Sequence, residues 1–182
     1  MTNDASCELA EFHQIELASS ELEKIRLGLD DIKNRSFPPA CLSLLKNLNG
    51  NLRCIDCHVD NPQWATVTYG ALLCLKCSGK HRSLGVQVSC VKSVTMDNWN
   101  HLELLAMLEG GNAQLKRFFD RHKLSTEYYE GGSEPITREN VTMLRYKTKA
   151  ALFYREQLVQ HATRVLNSGD YRGREASRRI EN

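Results

Sequence analysis

The sequence predicts an α+β fold in which helical segments surround a small sheet and a compact cluster of cysteines. Four cysteines stand in two close pairs. Two stretches rich in β-branched and apolar residues, 66–73 and 86–94, accompany these pairs. Apolar residues recur at three- and four-residue steps on both sides of this region, which is typical of amphipathic helices. At 182 residues, with 41% hydrophobic and 25% charged residues, the chain suits one globular domain with extensions.

The four cysteines indicate a metal site. They form the pattern Cys54-x2-Cys57-x16-Cys74-x2-Cys77. Two Cys-x2-Cys knuckles at this separation are typical of one tetrahedral Zn²⁺ site, and four thiolates leave no open position for a catalytic water. The alternative is two disulfides, which need an oxidising compartment. The first residues lack the basic and apolar regions of a signal peptide, and Cys7, Cys41 and Cys90 are left over. The sequence therefore favours one structural zinc in a reducing compartment.

The segment before the cysteines predicts two helices. In the first, over 5–34, an apolar stripe recurs at helical spacing: Leu9, Phe12, Leu22, Ile25, Leu29 and Ile32. The double proline Pro38-Pro39 ends it, and a second short helix covers 39–49. The long helix either packs on its own domain or binds a partner, for example as a coiled coil.

The segment after the cysteines is predicted to be mainly helical. A short helix over 75–84 precedes the second β-rich stretch, and Asp97 suits the N-cap of a helix that runs to Glu109. Asn112 is a candidate cap for the next helix. A loop over 125–136 leads to a longer amphipathic helix over 137–166. The remaining residues are arginine-rich with little apolar content, which predicts a disordered tail.

Charge and motifs exclude several function classes. The net charge is +2, and a zinc ion held by four thiolates contributes about −2, so global attraction to nucleic acid is weak. A DNA-binding finger of the GATA type has similar cysteine spacing, but residues 58–73 contain no Lys or Arg to meet phosphates. No phosphate-binding Gly-x4-Gly-Lys-Ser/Thr loop occurs. The sequence contains no run of 18 apolar residues, so it predicts no transmembrane helix.

The cysteine region resembles the catalytic module of the Arf GTPase-activating proteins (Arf GAPs). The elements of that pattern are all present: Asn61-Pro62-x-Trp64-Ala65, Tyr69-Gly70, His81-Arg82-x-Leu84-Gly85 and Asp97-x-Trp99. The resemblance extends from about Leu42 to Leu158. It implies a four-cysteine zinc finger with a small three-stranded sheet surrounded by about six α-helices. The expected division is an N-terminal helical extension over 1–36, the zinc-finger domain over 37–160 and a basic tail over 161–182.

The resemblance also implies a function. The expected activity is stimulation of GTP hydrolysis by a small Arf-type GTPase in its GTP form, with Arg82 as an arginine finger inserted in trans. A planar guanidinium can neutralise charge on two phosphate oxygens at once, which lysine cannot. The chain would then be a GTPase activator, not an enzyme with its own nucleotide site. A scaffold that binds the GTPase without activating it is the alternative.

The resemblance assigns weaker roles to two further residues. Trp64 and Asp97 match family positions and are expected to contact the partner, although a core tryptophan and a helix N-cap are simpler roles. The expected location is the cytoplasm, with recruitment to the Golgi or other traffic membranes. We also expect transient contacts with coat proteins or a membrane surface, and no contact with nucleic acid.

Overall fold

The β-rich region around the cysteines folds as a three-stranded antiparallel sheet. The computed structural model describes residues 3–29, 36–125 and 142–179. The strands are β1 (Trp64–Thr66), β2 (Ala71–Leu73) and β3 (Val91–Ser93), in the order β2-β1-β3. Trp64, at the start of the central strand, pairs with Leu73 on one side and Ser93 on the other. The strands are shorter than the predicted stretches over 66–73 and 86–94.

A glycine explains why the first predicted strand is broken. After β1, a 3-10 turn (Val67–Tyr69) ends at Gly70, which has a φ of 59°. A Cβ atom at Gly70 would lie 2.5 Å from the carbonyl oxygen of Ala106, and one at Gly110 would lie 2.6 Å from that of Gly70. The two glycines thus allow the β1–β2 turn to lie directly against the helix that ends near Gly110.

Helices surround this sheet in the described ranges: α1 (Asn3–Arg26), α2 (Pro39–Asn47), α3 (Leu75–Ser83), α4 (His101–Glu109), α5 (Asn112–Arg121), α6 (Lys149–Ser168) and α7 (Arg174–Arg179). A 3-10 turn, Arg145–Lys147, precedes α6. The prediction of an α+β fold with a four-cysteine cluster, a small three-stranded sheet and surrounding helices is confirmed. The predicted loop over 125–136 and the start of the predicted helix over 137–166 lie largely outside the described residues.

The buried apolar residues form two clusters. The helical cluster joins α1, α2, α4 and the end of α6, and its members include Leu22, Leu45, Trp99, Leu105 and Val165. The finger cluster joins the cysteine knuckles, β2, α5 and the start of α6, and it includes Cys54, Tyr69, Leu73, Phe119 and Tyr146. The sheet lies between them, because successive residues of a strand point to opposite faces. In β2, for example, Leu72 belongs to the helical cluster and Leu73 to the finger cluster.

The predicted stripe of α1 is only partly used in packing. Ala18 and Leu22 are buried against the helical cluster, and Glu21 accepts hydrogen bonds from the first backbone N–H groups of α2. Leu9 and Phe12, in contrast, are 70% and 61% exposed. Ile32 lies outside the described residues. The second half of α1 therefore packs on its own domain, as the first of the two interpretations predicted.

Helix boundaries after the sheet differ from the sequence prediction at two caps. The N-cap of α4 is Asn100, whose side chain accepts from Glu103 N while Glu103 accepts from Asn100 N. Asp97 was predicted as this cap. Its carboxylate instead accepts from Ser93 N at 2.6 Å and fastens the loop after β3. Asn112 is the first residue of α5, not its cap.

The C-terminal segment is folded over the part that the structure describes. Residues 161–168 continue α6, and α7 follows a short connection, where the arginine content predicted a disordered tail. Tyr171 is buried, and Gly173 lies so close to α1 that a Cβ atom would be 2.8 Å from Ile15. Arg174 donates to the carbonyl oxygens of Glu109 and Gly110 at the end of α4. Arg174 thus makes tertiary contacts that composition does not reveal. The boundaries of the three predicted parts stay a prediction.

None of the helices in the described ranges is long and apolar enough to cross a membrane.

Candidate functional site

The four predicted zinc ligands lie together. One Sγ atom from each of Cys54, Cys57, Cys74 and Cys77 lies within 4.8 Å of the other three. The Sγ atoms of Cys57 and Cys74 are 3.5 Å apart. Zn–S bonds of about 2.3 Å in a tetrahedron place neighbouring sulfurs about 3.8 Å apart. A disulfide needs about 2.05 Å. The cluster therefore fits a four-coordinate metal ion, and the sulfur-only donor set suits Zn²⁺.

The first knuckle is held by backbone hydrogen bonds and by a distant asparagine. Cys54 N donates to Val59 O at 2.9 Å, and His58 N donates to Cys54 O at 3.0 Å, so the chain reverses sharply between the sulfurs. His58 takes a φ of 61° in this turn. The Asn112 amide donates to Arg53 O at 2.6 Å and accepts from Leu72 N at 2.7 Å. The knuckle is thereby fastened to β2 and to α5.

The second knuckle is the start of a helix. Cys74 is the N-cap of α3, and its sulfur accepts from Cys77 N at 3.4 Å. An N-cap acceptor satisfies one of the free N–H groups at a helix start, and a thiolate there also benefits from the helix dipole. The second knuckle thus forms the start of α3, and the residues further along this helix are oriented relative to it.

Arg82 lies in the last turn of α3 with an exposed side chain. Its guanidinium carbon is 4.6 Å from the ring centroid of Trp64, a cation–π contact. Trp64 is half-buried at the start of β1. Arg82 makes no ion pair with any residue of 3–29, 36–125 or 142–179. The two predicted residues are therefore in contact, and the charge of Arg82 is presented to solvent on an aromatic surface.

The loop after Arg82 is fastened at several points. Gly85, with a φ of 88°, reverses the chain, and its carbonyl oxygen accepts from Val88 N and Ser89 N. Arg155 of α6 donates to the carbonyl oxygens of Gln87 and Val88. The helix that carries Arg82 is therefore constrained on both sides, by Cys74 at its start and by this loop at its end.

A buried polar network lies next to Arg82. His81 is fully buried, and its Nε2 lies 3.0 Å from Oδ2 of Asp56. The other oxygen, Oδ1, accepts from Arg145 Nη2 at 2.6 Å and from the Tyr146 hydroxyl at 2.7 Å. The side chain of Asp56 is 2% exposed. The carboxylate between the two cysteines of the first knuckle is therefore connected to α3 and to the segment before α6.

The network keeps its carboxylate ionised in spite of burial. Burial by itself would raise the pKa of Asp56, but the hydrogen bond from His81 and the guanidinium of Arg145 more than offset it and hold that pKa below its ordinary value. Burial raises the pKa of the Tyr146 phenol well above its usual range, so Tyr146 donates its proton as a neutral group. The result is an ionised carboxylate with three donors.

Sequence reasoning found the four cysteines and named Arg82 and Trp64 separately, but it missed both the contact between these two residues and this network. Asp56 lies between two cysteines and His81 adjoins Arg82, which was the available signal for both residues. Arg145 and Tyr146 are about 90 positions away in the chain from Asp56, so no local pattern could have linked them. For Asp97, the described residues give only the loop contact with Ser93, and a role in partner binding stays a prediction.

Comparisons with known proteins agree with this geometry. A family model, ArfGap, described as "Putative GTPase activating protein for Arf", matches residues 40–155. ADP-ribosylation factor GTPase-activating protein 3 of Pongo abelii is 41% identical over 122 residues, which are 66% of this chain and 21% of that protein. ADP-ribosylation factor GTPase-activating protein GCS1 of Saccharomyces cerevisiae is 48% identical over 80 residues, 44% of this chain and 23% of that protein. The chain spans about a fifth of the length of the curated relatives it matches.

A solved structure is similar over most of the chain. It is described as "putative GTPase activating protein for ADP ribosylation factor" from Cryptosporidium parvum and is 25% identical, with a TM-score of 0.53. The match covers 73% of this chain and 99% of that one. Since the family model also spans the four-cysteine cluster, the sheet and the helices from α2 to the first part of α6, this chain belongs to the ArfGap family.

Proposed function

We propose that this chain stimulates GTP hydrolysis by a small Arf-type GTPase and that Arg82 supplies the catalytic guanidinium in trans. The observation that carries the proposal is the placement of Arg82. It is exposed, lies on Trp64, and stands at the end of a helix that begins at a metal-binding cysteine. Family membership supplies the partner class, because the relatives' names refer to ADP-ribosylation factor.

The chemistry needs a positive group of this kind. When GTP is hydrolysed, negative charge spreads over the transferred phosphoryl group and the bridging oxygen. A guanidinium placed there from a second protein stabilises this charge and is worth about 10³–10⁵ in rate. Because Arg82 makes no ion pair in the described ranges, no salt bridge to those residues has to be broken before it enters the partner's site. In the free protein the guanidinium lies against the face of Trp64, and leaving this contact has only a modest free-energy cost.

The metal has a structural role in this proposal. Cys54, Cys57, Cys74 and Cys77 would hold one Zn²⁺, which would join the two knuckles and, with four thiolate ligands, would leave no position for a reactive water. This link would also fix the start of the helix that carries Arg82, because Cys74 would be a metal ligand and is the N-cap of α3.

The partner would supply the remaining components. The GTPase holds GTP and Mg²⁺ and positions the attacking water, while this chain completes the site as an activator rather than as an enzyme. Recruitment to the Golgi or other traffic membranes, and transient contacts with coat proteins or the membrane surface, stay predictions.

The test is single-turnover hydrolysis by an Arf-type GTPase loaded with GTP, with and without the chain. Arg82→Lys keeps the charge but loses the planar fork, and Arg53→Lys is the matched control because Arg53 is exposed and paired with Asp60 at 3.0 Å. We expect acceleration of about 10³-fold or more by the wild type and by Arg53→Lys, and little by Arg82→Lys. A wild-type chain that binds the GTPase without acceleration would instead indicate the scaffold alternative.

A further inference from the structure

The residue before Arg82 has no freedom to turn. His81 is fully buried in the last turn of α3, and both ring nitrogens have partners. Nδ1 lies 2.8 Å from Ser89 Oγ, and Nε2 lies 3.0 Å from Asp56 Oδ2. A carboxylate oxygen therefore faces one ring nitrogen, and a hydroxyl faces the other. With one partner on each side, the ring cannot rotate without losing two buried hydrogen bonds, which is costly.

Asp56 extends this constraint to a third part of the chain. Arg145 and Tyr146 donate to its second oxygen, and the Tyr146 ring packs edge-on against His81 with 4.4 Å between centroids. The guanidinium of Arg145 lies over the ring of Phe119, 4.5 Å from its centroid. The first knuckle, α3 and the 3-10 turn before α6 thus meet at one carboxylate.

Ser89 extends it to the surface on which Arg82 rests. Its hydroxyl, besides contacting His81, lies 2.8 Å from Thr66 Oγ1. Thr66 is the last residue of β1, and Trp64 is the first. The backbone that carries Arg82 and the strand that carries its aromatic support are therefore held by a single chain of buried hydrogen bonds.

The composition of this network is informative. Burying charged groups costs more than burying apolar side chains of similar size, so stability alone does not explain why a carboxylate and a guanidinium lie here. What hydrogen bonds add is direction, since each one fixes an angle as well as a distance. An arginine at the end of a helix must have a defined orientation if it is to enter the active site of a second protein correctly.

We infer that Asp56, His81 and Tyr146 are positioning residues for Arg82, so that the segment before α6 controls how the arginine is presented. The inference rests on the proposed function for its catalytic consequence. In structural terms it states that loosening this network changes the orientation and mobility of Arg82 while the metal stays bound.

The experiment uses two pairs of matched variants of the metal-loaded chain. Asp56→Asn is compared with Glu109→Gln, because Glu109 is also a buried carboxylate paired with a histidine, His161, at 2.7 Å. Tyr146→Phe is compared with Tyr154→Phe, because both substitutions delete one buried, hydrogen-bonded hydroxyl. The Tyr146 pair remains informative if Asp56→Asn fails to fold. Metal content and thermal unfolding are measured for all four variants.

The activity readout separates positioning from binding. We expect Asp56→Asn to lower the maximal rate of stimulated GTP hydrolysis by about 10²-fold and Tyr146→Phe by about 3- to 10-fold, with the half-saturating concentration unchanged. Glu109→Gln and Tyr154→Phe should keep the wild-type maximal rate. If each control loses as much rate as its partner variant, the network acts only through stability and the inference is wrong.

A second readout keeps the inference separate from the proposed function. Nuclear magnetic resonance of the Arg82 Nε–H group and of the Trp64 indole N–H reports their orientation and mobility without any GTPase. We expect Tyr146→Phe to shift both signals and to increase the mobility of Arg82, and Tyr154→Phe to do neither. If the wild type fails to stimulate hydrolysis, the proposed function fails while this result still decides the inference. Unchanged Arg82 and Trp64 signals in Tyr146→Phe would overturn it.

Discussion

In the part of the chain that the structure describes, two histidines pair with fully buried carboxylates, and the two pairs differ in how completely they are bonded. In the finger cluster, Asp56 contacts three side chains, and both nitrogens of His81 have partners. Between α4 and α6, Glu109 pairs with His161 through one oxygen, and its other oxygen has no hydrogen-bond partner among the described residues.

This difference separates two uses of the same chemistry. The pair of Glu109 and His161 links two helices next to the apolar helical cluster, where packing supplies most of the stability. The pair of Asp56 and His81 lies beside Arg82, where the directions of the bonds matter more than their number. We therefore expect substitutions in the helical cluster to change stability and substitutions in the finger cluster to change activity.

Removal of the metal should have the largest effect on the finger cluster. A structural Zn²⁺ contributes about 10 kcal/mol or more to folding, and without it the two knuckles lose the bonds that join them through the metal. We expect a chelator, or Cys57→Ser, to abolish activation and to remove hydrogen-exchange protection first from β1, β2 and α3. Mass spectrometry of deuterium uptake measures this order.

A buried cysteine outside the four-cysteine cluster provides the control. Cys41 is buried in the helical cluster and donates to Ala18 O at 3.6 Å, and burial raises its pKa well above the usual range. Cys41→Ala should leave metal content and activation unchanged. Uniform loss of protection over the whole chain on chelation would contradict the distinction between the two clusters.

The two tryptophans offer the next test. Trp99 is buried, donates to Ser93 O at 3.1 Å and packs edge-on against Phe37 at 4.9 Å. We expect Trp99→Ala to lower the free energy of unfolding by about 3–5 kcal/mol, because it leaves a large cavity. Trp64 is half-buried, so Trp64→Ala should cost about 1–2 kcal/mol.

Activity should follow the opposite order. Folded Trp64→Ala should lose more of the maximal hydrolysis rate than folded Trp99→Ala, since it removes the support of Arg82. Urea unfolding and single-turnover rates, measured below the unfolding transition of each variant, check both orders. Equal loss of rate in the two variants would mean that the contact between Trp64 and Arg82 has no functional role.

The smallest predicted effect is a pH dependence in the helical region. Burial lowers the pKa of His101 at the start of α4, and Arg26 lowers it further while Glu23 opposes this. The folded protein then binds a proton less readily than the unfolded chain, whose histidine titrates near 6.5. Stability should be full above this pH, fall as the pH drops through it, and level off below the folded pKa.

His101→Gln should remove this part of the pH dependence. Thermal unfolding between pH 8 and pH 5 measures it, and stimulated hydrolysis, measured below the unfolding temperature, should show no matching change. A stability curve with the same slope in both proteins would show that His101 is not the group responsible.

Local patterns predicted part of the fold and of the site. Spacing identified the four-cysteine cluster and the helix over 75–84, because both depend on residues close together in the chain. The strands were predicted too long, since Gly70 ends the first in a turn against Gly110. The folded C-terminal segment was missed because Arg174 donates to carbonyl groups more than 60 positions away in the chain. The partners of Asp56 were missed for the same reason: tertiary structure brings them together.

The central claim is that Arg82, held by the metal-bound knuckles, stabilises the transition state in the partner's site. The most direct measurement compares the affinity of the chain for an Arf-type GTPase in two states, with GTP analogue bound and with GDP plus aluminium fluoride, which resembles the transition state. We predict that the wild type binds the second state much more tightly and that Arg82→Lys binds both states alike. Retention of the wild-type preference by Arg82→Lys, with metal content unchanged, would contradict the claim.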